Sequence, residues 1–236
     1  MPVAEQNQIA ASVKEQMHAA STDGARDEAL ERVRAGWQNR GYFKVQVNGE
    51  ARLLASSLTG QRIALFVHVD EGPQYRLGGI SFKGNKAVSN LVALRSLFPI
   101  KEGDIFSRDQ IAKGLENLRK AYGQLGYINF TSVPNTAFDD EKKLIHLDID
   151  IDEGKQFYIS RVNILGLGES RRQELLDGLS LGPGKIFNAR LFDLLLQKNG
   201  FTLTGYEHLY GSPLRLDEGL GTVAINLDFR PCSAHP

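Results

Sequence analysis

Apolar and polar residues alternate most regularly between Leu144 and Asp152, where leucines and isoleucines are interleaved mainly with aspartates. A period of two predicts a β-strand with one face buried and its carboxylates in solvent. Upstream, apolar side chains recur at intervals of four and three residues, at Ile111, Leu115, Leu118, Tyr122 and Leu125. That spacing predicts an amphipathic helix, and Gly126 supplies the residue with positive φ that commonly ends one.

The residues around these two elements complete one structural unit. Residues 75–82 predict a first strand that leaves through a glycine turn. Ser89 is the expected N-cap of a short helix stopped by Pro99, and Ser107 is the expected N-cap of the longer helix. Residues 127–133 predict another strand before the alternating one. The order strand, helix, helix, strand, strand predicts a two-layer α+β unit.

Three sequence marks recur along the chain at intervals of about 80 residues. The pair that ends a helix is found as Gly41-Tyr42, Gly126-Tyr127 and Gly200-Phe201. Two strands end at Asp-Glu-Gly, at residues 70–72 and 152–154. The loop Gly-Asp-Ile-Phe at 103–106 recurs as Gly-Lys-Ile-Phe at 184–187. Repetition at a fixed period predicts an array of small modules rather than one large core. The search for function therefore moves from a central active site to the surfaces of the modules.

The first and third repeats depart from the middle one. In the first, residues 9–20 and 27–40 are the expected helices and residues 43–54 and 63–69 the expected hairpin, with no clear first strand. The third begins with a strand at 161–165 and a helix at 170–177, and its second helix, between Phe187 and Gly200, is expected to be shorter. Its last strand, 222–229, ends without the Glu-Gly mark, which predicts a terminal repeat.

Composition narrows the classes of function. The 28 basic and 28 acidic residues balance, which argues against a nucleic-acid partner because phosphate binding needs a surplus of Lys and Arg on one face. No apolar run reaches the ~18–20 residues of a membrane helix, and residues 1–20 lack the apolar segment of a signal peptide. The single cysteine, Cys232, permits no intrachain disulfide. An ordinary globular chain is indicated, with its compartment left open.

The succession of motifs resembles the POTRA (polypeptide-transport-associated) domain. The resemblance rests on a strand ending in Phe-Lys-Gly-Asn, the Gly-Asp-Ile-Phe loop, a helix ending in Tyr-Gly-Gln-Leu-Gly-Tyr and a hairpin ending in Asp-Glu-Gly. It is close over residues 74–155, looser over 156–199, and limited to the Gly-Tyr and Glu-Gly marks over 23–72. It implies tandem βααββ modules, each a three-stranded mixed sheet covered on one face by two helices. The last strand would be central and the second strand would form a free edge.

The resemblance also implies module boundaries and a function. The expected modules are 1–73, lacking its first strand, 74–155, complete, and 156–231, divergent, with 232–236 as a tail. POTRA domains stand in tandem on the periplasmic side of BamA-type and TamA-type outer-membrane assembly factors and of two-partner secretion transporters. The chain is therefore expected in the periplasm, near the inner leaflet of the outer membrane, as a non-enzymatic array without cofactors.

Several kinds of partner follow from the same resemblance. Unfolded outer-membrane or secreted polypeptides are expected as clients. Envelope assembly proteins or lipoproteins are expected as partner proteins. An outer-membrane β-barrel is a further expected partner, in cis if the native chain is longer. The alternative is a scaffold that binds one folded partner of an envelope or cell-division complex.

The second strand of each module is the expected binding edge. An uncovered edge exposes unpaired backbone groups and can accept an extended peptide as an added strand. Pro134 is expected to close the edge of the middle module. The alternative is that these strands are buried against neighbouring modules or are merely solvated. The candidate residues are Tyr127, Ile128, Asn129, Phe130, Thr131, Ser132 and Val133 in the middle module and Phe43, Lys44, Val45, Gln46 and Val47 in the first.

Other motifs are weaker candidates for chemistry. Ser180 lies in a G-x-S-x-G match, but a nucleophile elbow needs a preceding strand and here a helix is expected. The run from Asp148 resembles the opening of a calcium loop, yet its sixth and twelfth positions are Glu153 and Ile159 instead of Gly and Glu. The five histidines show no zinc-ligand spacing. Neither catalysis nor a metal site is predicted, and Trp37 is assigned to packing.

Overall fold

The computed structural model describes residues 1–16, 22–57, 60–178, 181–198 and 213–230. The helices in these ranges are α1 (Val3–Gln16), α2 (Thr22–Gln38), α3 (Leu91–Ser96), α4 (Arg108–Gln124), α5 (Glu169–Gly178) and α6 (Ala189–Lys198). The strands are β1 (Gln46–Ser57), β2 (Gly60–Asp70), β3 (Arg76–Lys83), β4 (Thr131–Asp139), β5 (Leu144–Asp152), β6 (Tyr158–Leu165), β7 (Leu214–Asp217) and β8 (Thr222–Asp228).

The strands of the described chain form three small sheets. Their orders are β1-β2, β3-β5-β4 and β6-β8-β7. In the third sheet β8 is central, parallel to β6 and antiparallel to β7. These mixed three-stranded sheets with their helices confirm the predicted α+β fold, in which the last strand of a repeat is central and the second is an edge. The first sheet consists of β1 and β2 within the described residues.

The two clearest sequence patterns are found where they were expected. Strand β5 has the predicted bounds, and every second side chain of it, from Ile145 to Ile151, is buried. Helix α4 follows Ser107, whose hydroxyl accepts the N–H of Gln110 at 3.4 Å. The helix buries Leu118 completely. Hydrophobic periodicity thus identifies both the elements and the faces they bury.

The short helix α3 starts one residue later than predicted. The side-chain oxygen of Asn90 accepts the N–H of Ala93 at 3.1 Å, so Asn90 is the N-cap and Ser89 is not. Serine and asparagine cap helices about equally well, and the sequence alone therefore could not choose between these neighbours. The helix ends before Pro99, as predicted.

The described chain divides into two compact units. The first comprises Met1–Ser81, Arg95–Gly114 and Pro134–Asp148, and the second Phe82–Leu94, Leu115–Val133 and Ile149–Pro236. Because this division splits residues 74–155, the module boundaries stay a prediction. A core cluster of the first unit joins helices α1 and α2 to the β1-β2 hairpin, and it includes Trp37. A core cluster of the second unit joins β6, β8 and α6.

Candidate functional site

The predicted binding edge of the middle repeat is displaced along the chain. Strand β4 begins at Thr131 and runs to Asp139, whereas residues 127–130 form a turn. The prediction that Tyr127, Ile128, Asn129 and Phe130 belong to the edge strand is therefore wrong. Thr131, Ser132 and Val133 do belong to it.

A helix cap explains this displacement. Gly126 takes φ +88°, and the N–H of Tyr127 donates to the carbonyl of Tyr122 at 3.1 Å. A bond of this span across a left-handed glycine is the Schellman motif. The N–H of Phe130 then donates to the carbonyl of Tyr127 at 3.4 Å and closes a turn before the strand begins. The apolar residues after the glycine thus end a helix, although their composition resembles that of a strand.

The side chains of residues 127–130 form contacts with other parts of the second unit. The ring of Phe130 is buried and stacks on Tyr122, with centroids 4.4 Å apart. Tyr127 meets the same Tyr122 ring edge-on at 5.8 Å. Ile128 packs against the core cluster of the second unit, and Asn129 donates its side-chain amide to Glu218 at 3.3 Å. These four side chains therefore form contacts within the protein, and of the four only Asn129 is exposed.

The candidate residues of the first repeat follow the same plan. Strand β1 begins at Gln46, and residues 43–45 form a turn. The prediction that Phe43, Lys44 and Val45 are strand residues is therefore wrong. The cause is again a left-handed glycine, here Gly41 with φ +86°.

Most of these side chains are also committed to packing. Val45 and Val47 belong to the core of the first unit. Phe43 packs edge-on against Phe106, with centroids 5.4 Å apart. The Lys44 ammonium pairs with both carboxylate oxygens of Asp140, at 2.8 and 2.9 Å. Of the five, Gln46 alone is both in the strand and exposed.

Lys44 and Asp140 form an ion pair within the first unit. The hydrogen bond to Asp140 raises the pKa of Lys44, and the same bond lowers the pKa of the Asp140 carboxyl. The Tyr75 hydroxyl also donates to Asp140. The Lys44 ammonium lies 4.8 Å from the centre of the Phe138 ring. The end of β4 is thus held by a cation between a carboxylate and an aromatic face.

What remains available is the strand itself. Strand β4 lies at the edge of its sheet, and seven of its nine residues are exposed. Val133 is 57% exposed. Pro134, expected to close the edge, lies inside the strand, and proline is tolerated in edge strands where its missing N–H would face away from the neighbour. The sequence pattern misses residues 135–139 of this edge, because a proline is the usual sign that a strand has ended.

The repeated marks have a structural role, which the contacts of Gly41 show. Its carbonyl accepts the N–H of Tyr75 at 2.8 Å, and the carbonyl of Tyr75 accepts the N–H of Phe106 at 3.0 Å. The side-chain amide of Gln74 donates to the carbonyl of Arg40 at 2.8 Å. The Gly-Tyr and Gly-Asp-Ile-Phe marks therefore meet on the residues that lead into β3.

The second unit repeats these bonds with equivalent residues. The N–H of Phe157 donates to the carbonyl of Gly126 at 2.9 Å, and the N–H of Phe187 to the carbonyl of Phe157 at 2.9 Å. Gln156 donates its side-chain amide to the carbonyl of Leu125 at 2.9 Å. Because the same backbone bonds form twice, the marks recur for a structural reason.

The Asp-Glu-Gly mark ends a strand in the same way in both repeats. The carboxylates of Asp70 and Asp152 accept the N–H of the glycine two residues later, at 3.4 and 3.1 Å. Both glycines have positive φ. Glu71 accepts the indole N–H of Trp37 at 3.2 Å, and Glu153 accepts the hydroxyl of Tyr122 at 3.0 Å. The acidic pair thus ties the end of the strand to the preceding helix.

The weaker chemical candidates gain nothing from the structure. Ser180 lies outside the described residues, as do His18, His208, His235 and Cys232. Within residues 1–16, 22–57, 60–178, 181–198 and 213–230, His, Cys, Asp and Glu form no group that could hold a metal ion. In the same ranges no helix combines the length and the apolar character needed to span a membrane.

Comparison with known proteins agrees with this architecture. Residues 75–154 match the POTRA family model, described as "Surface antigen variable number repeat". The chain is 23% identical over 180 residues to the outer membrane protein assembly factor BamA of Buchnera aphidicola, covering 73% of this chain and 28% of the relative. It is 27% identical over 146 residues to BamA of Neisseria meningitidis, covering 60% of this chain and 18% of the relative. It thus spans less than a third of either relative's length.

A solved structure shows the same fold over nearly the whole chain. The crystal structure of Haemophilus influenzae BamA POTRA3-5 superposes with a TM-score of 0.63 at 20% identity, covering 92% of this chain and 90% of that one. At this identity the likeness concerns the fold. The resemblance predicted from the repeated marks is confirmed: residues 75–154 are a POTRA domain, and the chain has the fold of the tandem POTRA domains of a BamA-type assembly factor.

Proposed function

We propose that the chain binds extended polypeptides along the edge of β4, as a periplasmic, non-enzymatic component of outer-membrane protein assembly. The proposal rests on the exposure of strand β4 at the edge of its sheet. Strand β4 is an edge of its sheet, nine residues long, and exposed at seven of them. An edge of this kind invites pairing with another chain unless it is protected.

Backbone pairing suits a protein that handles many clients. Main-chain hydrogen bonds give affinity with little dependence on the sequence of the added strand. Val133, 57% exposed, offers an apolar contact for the side chains of a client. Pro134 has no N–H to donate, so a bound client would pair chiefly with residues 131–133 and 135–139.

The first sheet offers a second edge of the same kind. Strand β1 is 12 residues long and pairs with β2 on one side. Its first residue, Gln46, is exposed. We extend the proposal to this strand, since it holds the position in its repeat that β4 holds in the middle one.

The assembly role itself is supported by the names of the relatives. Both BamA proteins are called outer membrane protein assembly factors. Residues 75–154 match the POTRA family model, and the BamA of Haemophilus influenzae contains POTRA domains. Unfolded outer-membrane polypeptides are therefore the proposed clients. Envelope assembly proteins or lipoproteins are the proposed partner proteins.

Selective N-methylation of a client peptide tests the binding mode. A fluorescent strand peptide from an outer-membrane protein is made in two forms, one N-methylated at odd and one at even positions. Since only one set of amides faces the edge of β4, one form should lose binding and the other should keep it, as measured by fluorescence anisotropy with the full chain. Equal binding of both forms would exclude strand addition. A Val133→Asp variant that binds the unmodified peptide unchanged would exclude this edge.

One observation favours a second candidate function, a scaffold for a folded partner. Helix α3 exposes two adjacent apolar side chains, Leu91 at 54% and Val92 at 79%. Exposed apolar residues that cluster can mark a protein-binding surface. A Val92→Asp variant that loses a folded partner while keeping the strand peptide would favour this alternative.

A further inference from the structure

One face of the third sheet carries a pair of arginines, Arg161 of β6 and Arg215 of β7. Both are paired with Ala224 of the central strand β8, one from each side. Residues that lie directly opposite each other on neighbouring strands project from the same face of a sheet. Two guanidinium groups therefore flank one small residue.

The two arginines lie on the open face of this sheet, the face opposite the core. Val223 and Ile225 of β8 belong to the core cluster of the second unit, so Ala224 between them lies on the other face. A β-bulge between Ile159 and Arg161 shifts the register of β6. Without this bulge, Arg161 would share the core face of Ile159, two residues earlier. Bulges are over-represented next to active sites, where they redirect a side chain.

Both arginines are exposed, and among the described residues neither guanidinium forms a hydrogen bond or an ion pair. Other arginines of the chain bind carboxylates. Arg119 pairs with Glu116 at 2.9 Å. Arg230 pairs with Asp228 at 2.6 Å. Because a guanidinium is a planar fork of donors that fits a carboxylate or a phosphate, the unpaired arginines are able to bind an anion from outside the described chain.

The middle sheet carries different residues at the equivalent positions. Strands β5 and β8 both end in apolar, polar, apolar, Asp, which aligns Asp148 with Ala224. Gly79 aligns with Arg161, since each lies two residues after a buried strand residue. The Asp148 carboxylate accepts the hydroxyl of Ser81. The same position is thus acidic in one sheet and flanked by arginines in the other, so the fold itself does not require the arginine pair.

The neighbours of the arginine pair favour a protein as the source of the anion. Tyr158 and Leu165, at the two ends of β6, are 41% and 49% exposed. Tyrosine and arginine are both enriched in protein interfaces. Asp217 and Asp228 lie on the open face, on either side of the pair. They would repel a continuous anionic surface such as a membrane, whereas a single acidic group of a protein can meet the arginines between them.

We infer that the open face of the third sheet binds an acidic segment of a partner protein, with Arg161 and Arg215 holding a carboxylate above Ala224. Neighbouring strands lie about 4.8 Å apart, so the Cα atoms of the two arginines are roughly 10 Å apart. Both side chains are long enough to reach one carboxylate between them. The site uses side chains instead of backbone pairing and belongs to a different sheet from β4. It therefore holds or fails independently of the function proposed above.

The test uses the 236-residue chain and a fluorescent hexaglutamate peptide, with hexaglutamine as the uncharged control. Fluorescence anisotropy should show binding of the acidic peptide, and NMR should show that the Nε–H signals of Arg161 and Arg215 shift on binding. Hexaglutamate that binds no better than hexaglutamine, or that leaves both signals unchanged, would overturn the proposal. Vesicles of phosphatidylglycerol that shift the two signals while hexaglutamate does not would assign the site to lipid and also overturn it.

Matched variants separate the arginine pair from a general effect of charge. Arg161→Gln and Arg215→Gln should each weaken the acidic peptide about tenfold, because a charge-assisted hydrogen bond is lost. Arg171→Gln removes the same charge from an exposed position of α5 that has no partner among the described residues, and should leave the affinity unchanged. Ala224→Asp places a carboxylate between the arginines, as in the middle sheet, and should block the peptide. Equal weakening by all three glutamine variants, or unchanged binding by Ala224→Asp, would contradict the assignment.

Discussion

Replacing Gly41 by alanine should destabilise the first unit much more than the same replacement at Gly103. Both glycines are left-handed, with φ +86° and +84°. An alanine there costs roughly 1–2 kcal/mol, offset by about 0.4–1 kcal/mol because the unfolded chain is stiffened. This backbone contribution is shared by the two variants, so it cancels when they are compared.

The surroundings of the two glycines differ completely. A Cβ on Gly41 would lie 2.7 Å from the carbonyl oxygen of Tyr75 and 2.8 Å from Cγ2 of Ile105. A Cβ on Gly103 would have no heavy atom within 4 Å. The oxygen of Tyr75 also accepts the N–H of Phe106, so it cannot move without weakening that bond. Overpacking of this kind typically costs about 1–3 kcal/mol, which is the expected difference between the variants.

Urea unfolding monitored by tryptophan fluorescence measures this difference. Trp37 is the sole tryptophan of the chain, and its carbonyl accepts the N–H of Tyr42 in the cap that Gly41 forms. With a urea dependence of about 1–3 kcal/mol per molar, Gly41→Ala should unfold at a clearly lower urea concentration than Gly103→Ala. Indistinguishable midpoints would refute the claim that the Gly-Tyr mark is retained for close contact with the residues before β3.

Three further predictions concern single side chains. Lys44→Met should lower the free energy of unfolding at neutral pH. Because the pKa of Asp140 is lowered in the folded protein, the difference between this variant and wild type should shrink when urea unfolding is repeated below about pH 4. Leu118→Ala, at a fully buried position of α4, should cost about 2–5 kcal/mol in urea unfolding, and a loss under 1 kcal/mol would contradict its core role. Asn90→Ala should cost about 1 kcal/mol while Ser89→Ala costs almost nothing, and thermal unfolding that ranks them the other way would contradict the observed cap.

The parts of the fold that the sequence predicts correctly are those set by local periodicity. The bounds of strand β5 are predicted to the residue because its alternation is nearly complete. Helix α4 is predicted from its apolar stripe and from Ser107. The cap at Gly126 is also foreseen, since a left-handed residue is needed there. In each case the determining interactions lie within a few residues of one another.

The parts that the sequence does not reveal depend on geometry or on distant partners. Tyr127 and Phe130 are residue types common in strands, yet they lie in a turn. The reason is that the N–H of Tyr127 bonds to Tyr122 in the helix cap and the N–H of Phe130 bonds to Tyr127. The bond between Lys44 and Asp140 joins residues 96 positions apart, which no local pattern reveals. The extension of β4 beyond Pro134 depends on its being an edge strand, a property of the assembled sheet.

The proposed function depends on β4 acting as the docking edge, and amide chemical-shift mapping tests this most directly. The isotope-labelled chain is titrated with an unlabelled strand peptide from an outer-membrane protein. Shifts concentrated in residues 131–139, with slowed hydrogen exchange there as new backbone bonds form, are the predicted result. A peptide that binds while these amides stay unchanged, or that shifts only the α3 residues Leu91 and Val92, would contradict it.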